Sequence, residues 1–173
     1  TLDKRAVETK FEEQEDRVME FSFSSEYPVE RAFGMEVLSH EDGAADLGRL
    51  NDGAPLLFNH DMDRPIGVVE RAYLDKDKKK GFSRVRFSRN SFAQEILTDV
   101  KDGIMRNISV GYRIKEMEER NNEFVATNWE PYELSVVAVP ADSSIGVGRS
   151  LLPATTIEKE EAIAADSAAR VAP

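Results

Sequence analysis

Residues 56–67 read LLFNHDMDRPIG and predict a strand, a polar loop and a second strand. The apolar run at residues 55–59 has the length and composition of a short buried strand, and residues 66–74 form the next strand along the chain. This arrangement places His60 directly after a buried strand, at a position where protein scaffolds commonly present functional groups.

The strand pattern recurs on both sides of this segment. Met19, Phe21 and Phe23 alternate with polar residues, which is the period of two expected of a half-buried strand. A charged turn, DKDKKKG, joins residue 74 to residue 82, and its lysines, including Lys80, are predicted to be solvated. Further strands are predicted at residues 33–38, 82–87, 108–114, 123–128 and 133–139.

One segment has a helical period instead. In SFAQEILTDVKDG, residues 91–103, the apolar side chains recur every three to five residues and form one stripe. Ser91 is the predicted N-cap, Gln94 completes a capping box, and Gly103 is the C-terminal stop. A further helical turn is predicted within residues 45–50. About seven short strands with flanking helices indicate an α+β fold, mainly a closed or nearly closed antiparallel β-barrel.

The length and composition indicate one folded domain with two extensions. The chain has 173 residues, of which 40% are hydrophobic, and about 150 residues is a typical domain length. Residues 1–16 are acidic and polar and are expected to be a flexible arm. Residues 151–173 are rich in alanine and are expected to be a flexible linker that follows a domain at residues 17–150.

Charge and cysteine content exclude several classes of function. The net charge of −10 (23 basic minus 33 acidic residues) argues against nucleic-acid binding, which needs a basic face. No apolar run approaches the ~20 residues of a membrane span. The chain contains no cysteine, which excludes a thiol nucleophile, disulfides and cysteine-ligated metal sites and favours an intracellular location.

Two histidines are the candidates for a general base. His40 lies in the polar stretch SHEDG and is expected to be solvated. His60 has three interpretations: a histidine that only hydrogen-bonds to its own loop, a metal ligand together with Asp61 and Asp63, or a catalytic base. The metal interpretation is weakened by the short spacing and by the lack of an obvious second ligand cluster.

Two further segments contain groups that could act with a histidine. In RNISVGY, Ser109 lies in an apolar strand and precedes Gly111, which would let a substrate backbone approach closely. Most serines in such a position are structural, and a nucleophilic one requires a base and an oxyanion hole. Glu133 opens the apolar strand LSVVAV and could orient a histidine, with Glu130 and Asp142 as alternative carboxylates.

Taken together and in order, four segments resemble the prohead proteases of tailed bacteriophages, the serine peptidases of capsid maturation. These segments are SSEYPVERAFGMEVLSH, GAPLLFNHD, RNISVGY and ELSVVAVPAD. The resemblance implies a fold similar to that of the herpesvirus assemblins, a β-barrel surrounded by helices. It also implies an endopeptidase that works inside the procapsid, in the cytoplasm of the infected bacterium, without a metal or other cofactor.

By position, the resemblance makes His60 the general base and Ser109 the nucleophile. Assemblins use a second histidine as the third group, but no histidine follows His60 in this chain, and Glu133 occupies the comparable place. Residues 144–149, SIGVGR, are a candidate for the oxyanion hole. The implied substrates are scaffold or capsid-protein segments and the protein itself. The implied partners are the procapsid shell and further copies of the chain.

Two other classes of function compete with this interpretation. The first is a non-catalytic assembly or scaffolding domain that keeps the fold for protein contacts, and the second is a metal-dependent hydrolase built on His60, Asp61 and Asp63. A nucleophile, a base and an orienting carboxylate at the matched positions favour the peptidase.

Overall fold

The computed structural model describes residues 16–147, so most of the predicted arm and all of the predicted linker lie outside the described residues. Within this range the chain is α+β and consists mostly of strands. The strands are β1 (Val18–Ser25), β2 (Val29–Arg31), β3 (Gly34–Leu38), β4 (Pro55–Phe58), β5 (Asp61–Asp75), β6 (Lys80–Phe87), β7 (Asn107–Arg120) and β8 (Glu123–Val137). The helices are α1 (Gly48–Asn51) and α2 (Ser91–Lys101).

The sheet is mixed and does not form a closed barrel, so the prediction of a closed or nearly closed, mainly antiparallel β-barrel is wrong in its closure. Most strand pairings are antiparallel, as predicted. The strand order is β1-β6-β5-β4-β8-β3-β2, and β7 pairs with the remaining edge of β8. Strands β3 and β4 both run parallel to β8, whereas β7 runs antiparallel to it. In the described part of the chain, β1 is paired in a ladder only with β6, and no ladder joins β1 to β2 or β7 to close the sheet. Residue periodicity identifies strands but carries no information on their partners or direction.

Two predicted strands, at residues 123–128 and 133–139, form the single strand β8. Pro131 lies in the middle of β8, opposite Tyr112, where the pairing with β7 shifts by one residue. Such an irregularity accommodates a proline, because the ladder there does not depend on its missing N–H. The result is a strand of 15 residues that contacts β3 with its first half and β4 with its second half.

Helix α2 begins one residue earlier than the sequence indicates. Asn90 is the N-cap, and its side chain accepts a hydrogen bond of 2.8 Å from the amide of Ala93. Gln94 donates to the carbonyl of Ser88 instead of closing a capping box. Gly103 has a φ of 74° and ends the helix as predicted. The buried face of α2 consists of Ala93, Ile96, Leu97 and Val100.

The lysine-rich turn between β5 and β6 is not solvated throughout. Lys80 is only 5% exposed, and its ammonium group donates to the carbonyl of Ser144 at 3.0 Å. The prediction of a solvated cluster is therefore wrong for Lys80, because the packing of residues 141–147 covers it. Among the helices of residues 16–147, none has the length and apolar character needed to span a membrane.

Candidate active site

The loop between β4 and β5 fixes the position of His60. Asn59 and His60 form a two-residue turn with φ values of 50° and 59°, a left-handed conformation that asparagine tolerates better than most residues. The Asn59 amide donates to the carbonyl of Val136 at 2.9 Å. The Asn59 side chain accepts from the amide of Ala138 at 3.2 Å. These bonds hold the turn against the end of β8.

The structure brings His60, Ser109 and Glu133 into contact. His60 Nδ1 lies 2.5 Å from Glu133 Oε1, and His60 Nε2 lies 2.9 Å from Ser109 Oγ. Because an ionised carboxylate only accepts hydrogen bonds, Nδ1 carries the proton and Nε2 is free to accept from the serine hydroxyl. The register between β7 and β8 pairs Ser109 with Ser135 and Gly111 with Glu133, which places serine and carboxylate on one face of the sheet.

Ser135 connects the histidine to the carboxylate in a second way. Its hydroxyl accepts from the backbone amide of His60 at 3.0 Å and donates to Glu133 Oε2 at 2.9 Å. Ser135 is fully buried. Its hydroxyl gives Glu133 Oε2 a hydrogen-bond partner at a place where the carboxylate is shielded from water. Ser135 was not among the predicted site residues. A signal for it is present in the sequence, because residues two apart on a strand share a face and Ser135 follows Glu133 by two.

Gly111 provides space for the Glu133 carboxylate, whereas the expected close approach of a substrate backbone stays a prediction. A Cβ atom at this position would lie 2.2 Å from Glu133 Oε1 and 2.8 Å from Glu133 Cδ. No side chain other than hydrogen fits there unless Glu133 moves. The glutamate thus reaches His60 by crossing directly over Gly111.

The hydrogen bond with Glu133 also sets the electrostatics of the histidine. It raises the pKa of His60 above the ordinary value of 6.5, against the opposing effect of partial burial. The His60 side chain is 43% exposed, whereas that of Glu133 is 3% exposed. The arrangement can move a proton from Ser109 to His60 while the buried carboxylate stabilises the resulting imidazolium.

The alternative site residues are engaged elsewhere. Glu130 forms an ion pair with Lys115 at 2.9 Å. Asp142 accepts from the hydroxyls of Ser25 and Ser144. Asp61 accepts from the amide of Asp63 at 2.9 Å and pairs with Arg64 at 3.6 Å. Within residues 16–147 no group of three or more histidine, aspartate and glutamate side chains could hold a metal ion.

His40 is buried, so the expectation that it is solvated is wrong. It is 1% exposed and lies against Trp129, with ring centroids 5.8 Å apart. Its Nδ1–H donates to the carbonyl of Leu38 at 2.9 Å, and Nε2 accepts from the Ser24 hydroxyl at 2.8 Å. Burial lowers the pKa of His40, which keeps the ring neutral. Polar neighbours in sequence suggested a solvated turn, but the fold brings Ser24 and Trp129 against the ring.

A cleft of about 210 Å³ opens beside Ser109 and His60. The cleft is lined by residues 108–110 and 112 of β7, by the end of β1 and by residues of β2 and β3. Ala141, Asp142 and Ile145 line one part of the cleft. Of the predicted oxyanion segment, only residues 144–147 are described, and Ile145 is the residue of that segment that lines the cleft.

Comparison with known proteins finds one matching family model and several similar phage proteins. Residues 7–156 match the family model of the caudovirus prohead serine protease. The chain is 51% identical over 137 residues to a major capsid protein of Halomonas phage phiHAP-1, an alignment that covers 75% of this chain and 23% of that protein. It is 30% identical over 101 residues to a prohead protease of Escherichia phage T5, covering 56% of this chain and 46% of the relative.

A third relative is a capsid polyprotein of Pseudomonas phage PAJU2, which is 30% identical over 99 residues, or 51% of this chain and 14% of the polyprotein. The chain therefore spans less than half the length of each of these three relatives. No solved structure matches the chain, and the expected likeness to the assemblin fold stays a prediction.

Proposed function

The chain belongs to the caudovirus prohead serine protease family, and from this membership we propose that it is a capsid-maturation endopeptidase with Ser109 as nucleophile, His60 as general base and Glu133 as the orienting carboxylate. The observation that carries the proposal is the unbroken hydrogen-bond path from the Ser109 hydroxyl through the His60 ring to the buried Glu133 carboxylate. A nucleophile, a base and an orienting group in mutual contact at the edge of a cleft are the elements of acyl transfer.

The reaction follows from these contacts. His60 Nε2 takes the proton of Ser109 as Oγ attacks the scissile carbonyl, and the new imidazolium is stabilised by Glu133. His60 then donates this proton to the leaving amine, which departs and leaves an acyl-enzyme on Ser109. Water gives a proton to the same nitrogen as it attacks the ester, and His60 returns that proton to Ser109 Oγ as the acid product leaves. Ser135 and the Asn59 turn hold Glu133 and His60 in place throughout.

The names of the relatives support a proposal on substrates and location. Two relatives carry the names of capsid proteins and one that of a prohead protease. We therefore assign scaffold or capsid-protein segments, including segments joined to this domain, as substrates. The procapsid interior in the cytoplasm of the infected host is the site of action, with the procapsid shell and further copies of the chain as partners.

A non-catalytic assembly domain is the second candidate. It is favoured by the 51% identity to a major capsid protein, since such a relative need not cleave anything. A fluorophosphonate probe separates the two functions because it reacts only with an activated serine. We expect covalent labelling at Ser109, located by peptide mass spectrometry and unchanged by EDTA. A probe that stays unreactive with the assembled procapsid form would favour the assembly domain.

The pH dependence of cleavage is expected to depend on Glu133. His60 acts as a base only when neutral, so kcat/KM should rise with pH through a midpoint above 6.5, because Glu133 raises the pKa of His60. In Glu133→Gln the midpoint should fall and the plateau rate should drop by about 10²- to 10⁴-fold, since the tautomer is no longer fixed. The measurement is kcat/KM from pH 5 to 9.

Glu130→Gln is the matched control for this profile. Glu130 lies on the same strand, but it pairs with the exposed Lys115, so both midpoint and plateau should match those of the wild type. If Glu130→Gln were the damaging change instead, Glu133 would not be the orienting group.

Gly111→Ala is expected to lower kcat/KM by about 10²-fold or more, because an added methyl group displaces the Glu133 carboxylate. The acid midpoint of the pH profile should fall together with the rate. Gly48→Ala serves as control, since a Cβ there would meet only the Asp46 side chain, at 3.2 Å. Wild-type kinetics for Gly111→Ala would show that Glu133 need not cross this position.

A further inference from the structure

Charged side chains line the cleft beside Ser109 in addition to His60. Among the residues that the structure describes, they are Arg31 at the end of β2, Glu36 on β3 and Asp142 in the segment after β8. A substrate side chain that enters the cleft meets these groups in a space of about 210 Å³. Which of them still has hydrogen-bonding capacity therefore decides which kind of substrate side chain the cleft can hold.

Both carboxylates of the cleft are already paired with neighbouring donors. Asp142 is 9% exposed and accepts from the hydroxyl and the amide of Ser144 at 2.6 and 2.8 Å. Glu36 is 4% exposed and accepts from the Tyr112 hydroxyl and, at 3.3 Å, from Arg31 Nε. Because both groups are buried and each accepts two hydrogen bonds or more, neither offers an accessible negative charge to a basic substrate side chain.

Arg31 is the charged group of the cleft that keeps donors available. Its side chain is 35% exposed, compared with 5% for Glu36. Nε donates to Glu36, and Nη2 donates to the Tyr112 hydroxyl at 2.8 Å. A guanidinium group has five N–H donors, and within residues 16–147 the two on Nη1 have no hydrogen-bond partner. The terminal Nη1–Nη2 edge of a guanidinium is one that binds a carboxylate through two parallel hydrogen bonds.

Tyr112 holds the guanidinium group near the nucleophile. It follows Ser109 by three residues on β7, a separation of about 10 Å along a strand. Burial and the hydrogen bond to Glu36 raise the pKa of Tyr112 to about 12. The hydroxyl therefore stays protonated, donates to Glu36 and accepts from Arg31. An extended residue spans about 3.5 Å, so a substrate group that reaches Arg31 belongs to a residue within about three positions of the scissile bond.

We propose that Arg31 is a specificity-determining residue that binds a glutamate or aspartate side chain of the substrate close to the scissile bond. This inference rests on the proposed function and specifies its substrate class: segments that carry a carboxylate within about three residues of the cleavage site. A glutamine has nearly the same shape as a glutamate, but it carries no charge and only one acceptor oxygen, so it binds a guanidinium group more weakly. Arg31 takes no part in the proton transfers of His60.

Binding of two matched peptides tests this proposal without cleavage. Full-length Ser109→Ala protein is titrated with a blocked pentapeptide that has glutamate at its centre and alanine elsewhere, and separately with the same peptide containing glutamine. The Kd of each peptide is obtained from the NMR shifts of the backbone amides of β7. We expect the glutamate peptide to bind about tenfold more tightly at low salt, as a charge-assisted bidentate contact predicts. This ratio should decrease in about 1 M salt.

Arg31→Gln and Glu36→Gln, introduced together into the Ser109→Ala protein, remove the cation without leaving a buried carboxylate unpaired. The Kd values of the two peptides should then agree within about twofold. Arg31→Lys is a milder second variant that keeps the ion pair with Glu36, and without the planar fork the ratio should fall to about threefold or less. Arg71→Gln is the matched control, an exposed arginine on β5 that lies over the Tyr73 ring and outside the cleft, and it should keep the tenfold ratio.

Equal Kd values for the two peptides in the protein that retains Arg31 would overturn the inference, as would the lack of binding of either peptide at about 10 mM. A tenfold preference that persists after both glutamine substitutions would assign the carboxylate to another cation, such as the His60 imidazolium, and would overturn it as well. Because the test uses Ser109→Ala protein, it is independent of catalysis. A preference that depends on Arg31 in a protein whose wild type fails to cleave or to react with a fluorophosphonate would contradict the proposed function alone. Cleavage by the wild type without this preference would contradict only the role of Arg31.

Discussion

Ser109→Ala is expected to lower kcat/KM by about 10⁴- to 10⁶-fold, since loss of the nucleophile of a serine peptidase removes the covalent route altogether. The Ser109 hydroxyl is the atom that His60 Nε2 contacts at 2.9 Å, and no other hydroxyl is bonded to that nitrogen in the described residues. The measurement is cleavage of scaffold or capsid-protein segments in assembled proheads, together with self-processing of the full-length chain.

The fold should survive this change, because Ser109 is half-buried and alanine is smaller. The circular dichroism spectrum should match that of the wild type. The free energy of unfolding, measured by thermal denaturation, should differ from the wild-type value by less than about 1 kcal/mol. Ser91→Ala is the matched control, an exposed serine at the start of α2, and it should keep full activity. Retained self-processing in Ser109→Ala would contradict the assignment of the nucleophile.

Substitutions of the two histidines are expected to change different properties, the activity for His60 and the stability for His40. His60→Ala should lower kcat/KM by about 10⁴- to 10⁶-fold, because among residues 16–147 no other base is bonded to the Ser109 hydroxyl. Its effect on stability should be smaller, since the side chain is 43% exposed and water can reach Glu133 through the space that it leaves. Kinetics and thermal unfolding of the same preparations provide the comparison.

His40→Ala should show the opposite pattern. Removing this buried ring leaves a cavity beside Trp129 and unpairs Ser24, which should cost about 2–4 kcal/mol of unfolding free energy. Below its melting transition the variant should cleave at a rate similar to that of the wild type, because His40 does not contact Ser109 or His60. A stable His40→Ala protein without activity would mean that the wrong histidine has been assigned as base.

Local pattern predicted the strands well but not their arrangement. The alternation in β1 and the apolar run of β4 depend only on which side chains face the core, and both strands lie where the sequence places them. The parallel pairing of β3 and β4 with β8 is a long-range property, and no local residue pattern encodes it. The same limit explains why the burial of His40 and Lys80 was not predicted, since their burial depends on chain segments distant in sequence.

The sequence by itself determined that the chain is strand-rich, that thiol chemistry is absent and that the family is that of the prohead serine proteases. It also supplied Ser109, His60 and the candidate carboxylates Glu133, Glu130 and Asp142 of the proposed triad. Only the tertiary structure decided which carboxylate reaches His60, why residue 111 must be glycine and where the sheet stays open. These features depend on distances between β4, β7 and β8, and such distances arise from register and packing across the sheet rather than from the order of residues within one strand.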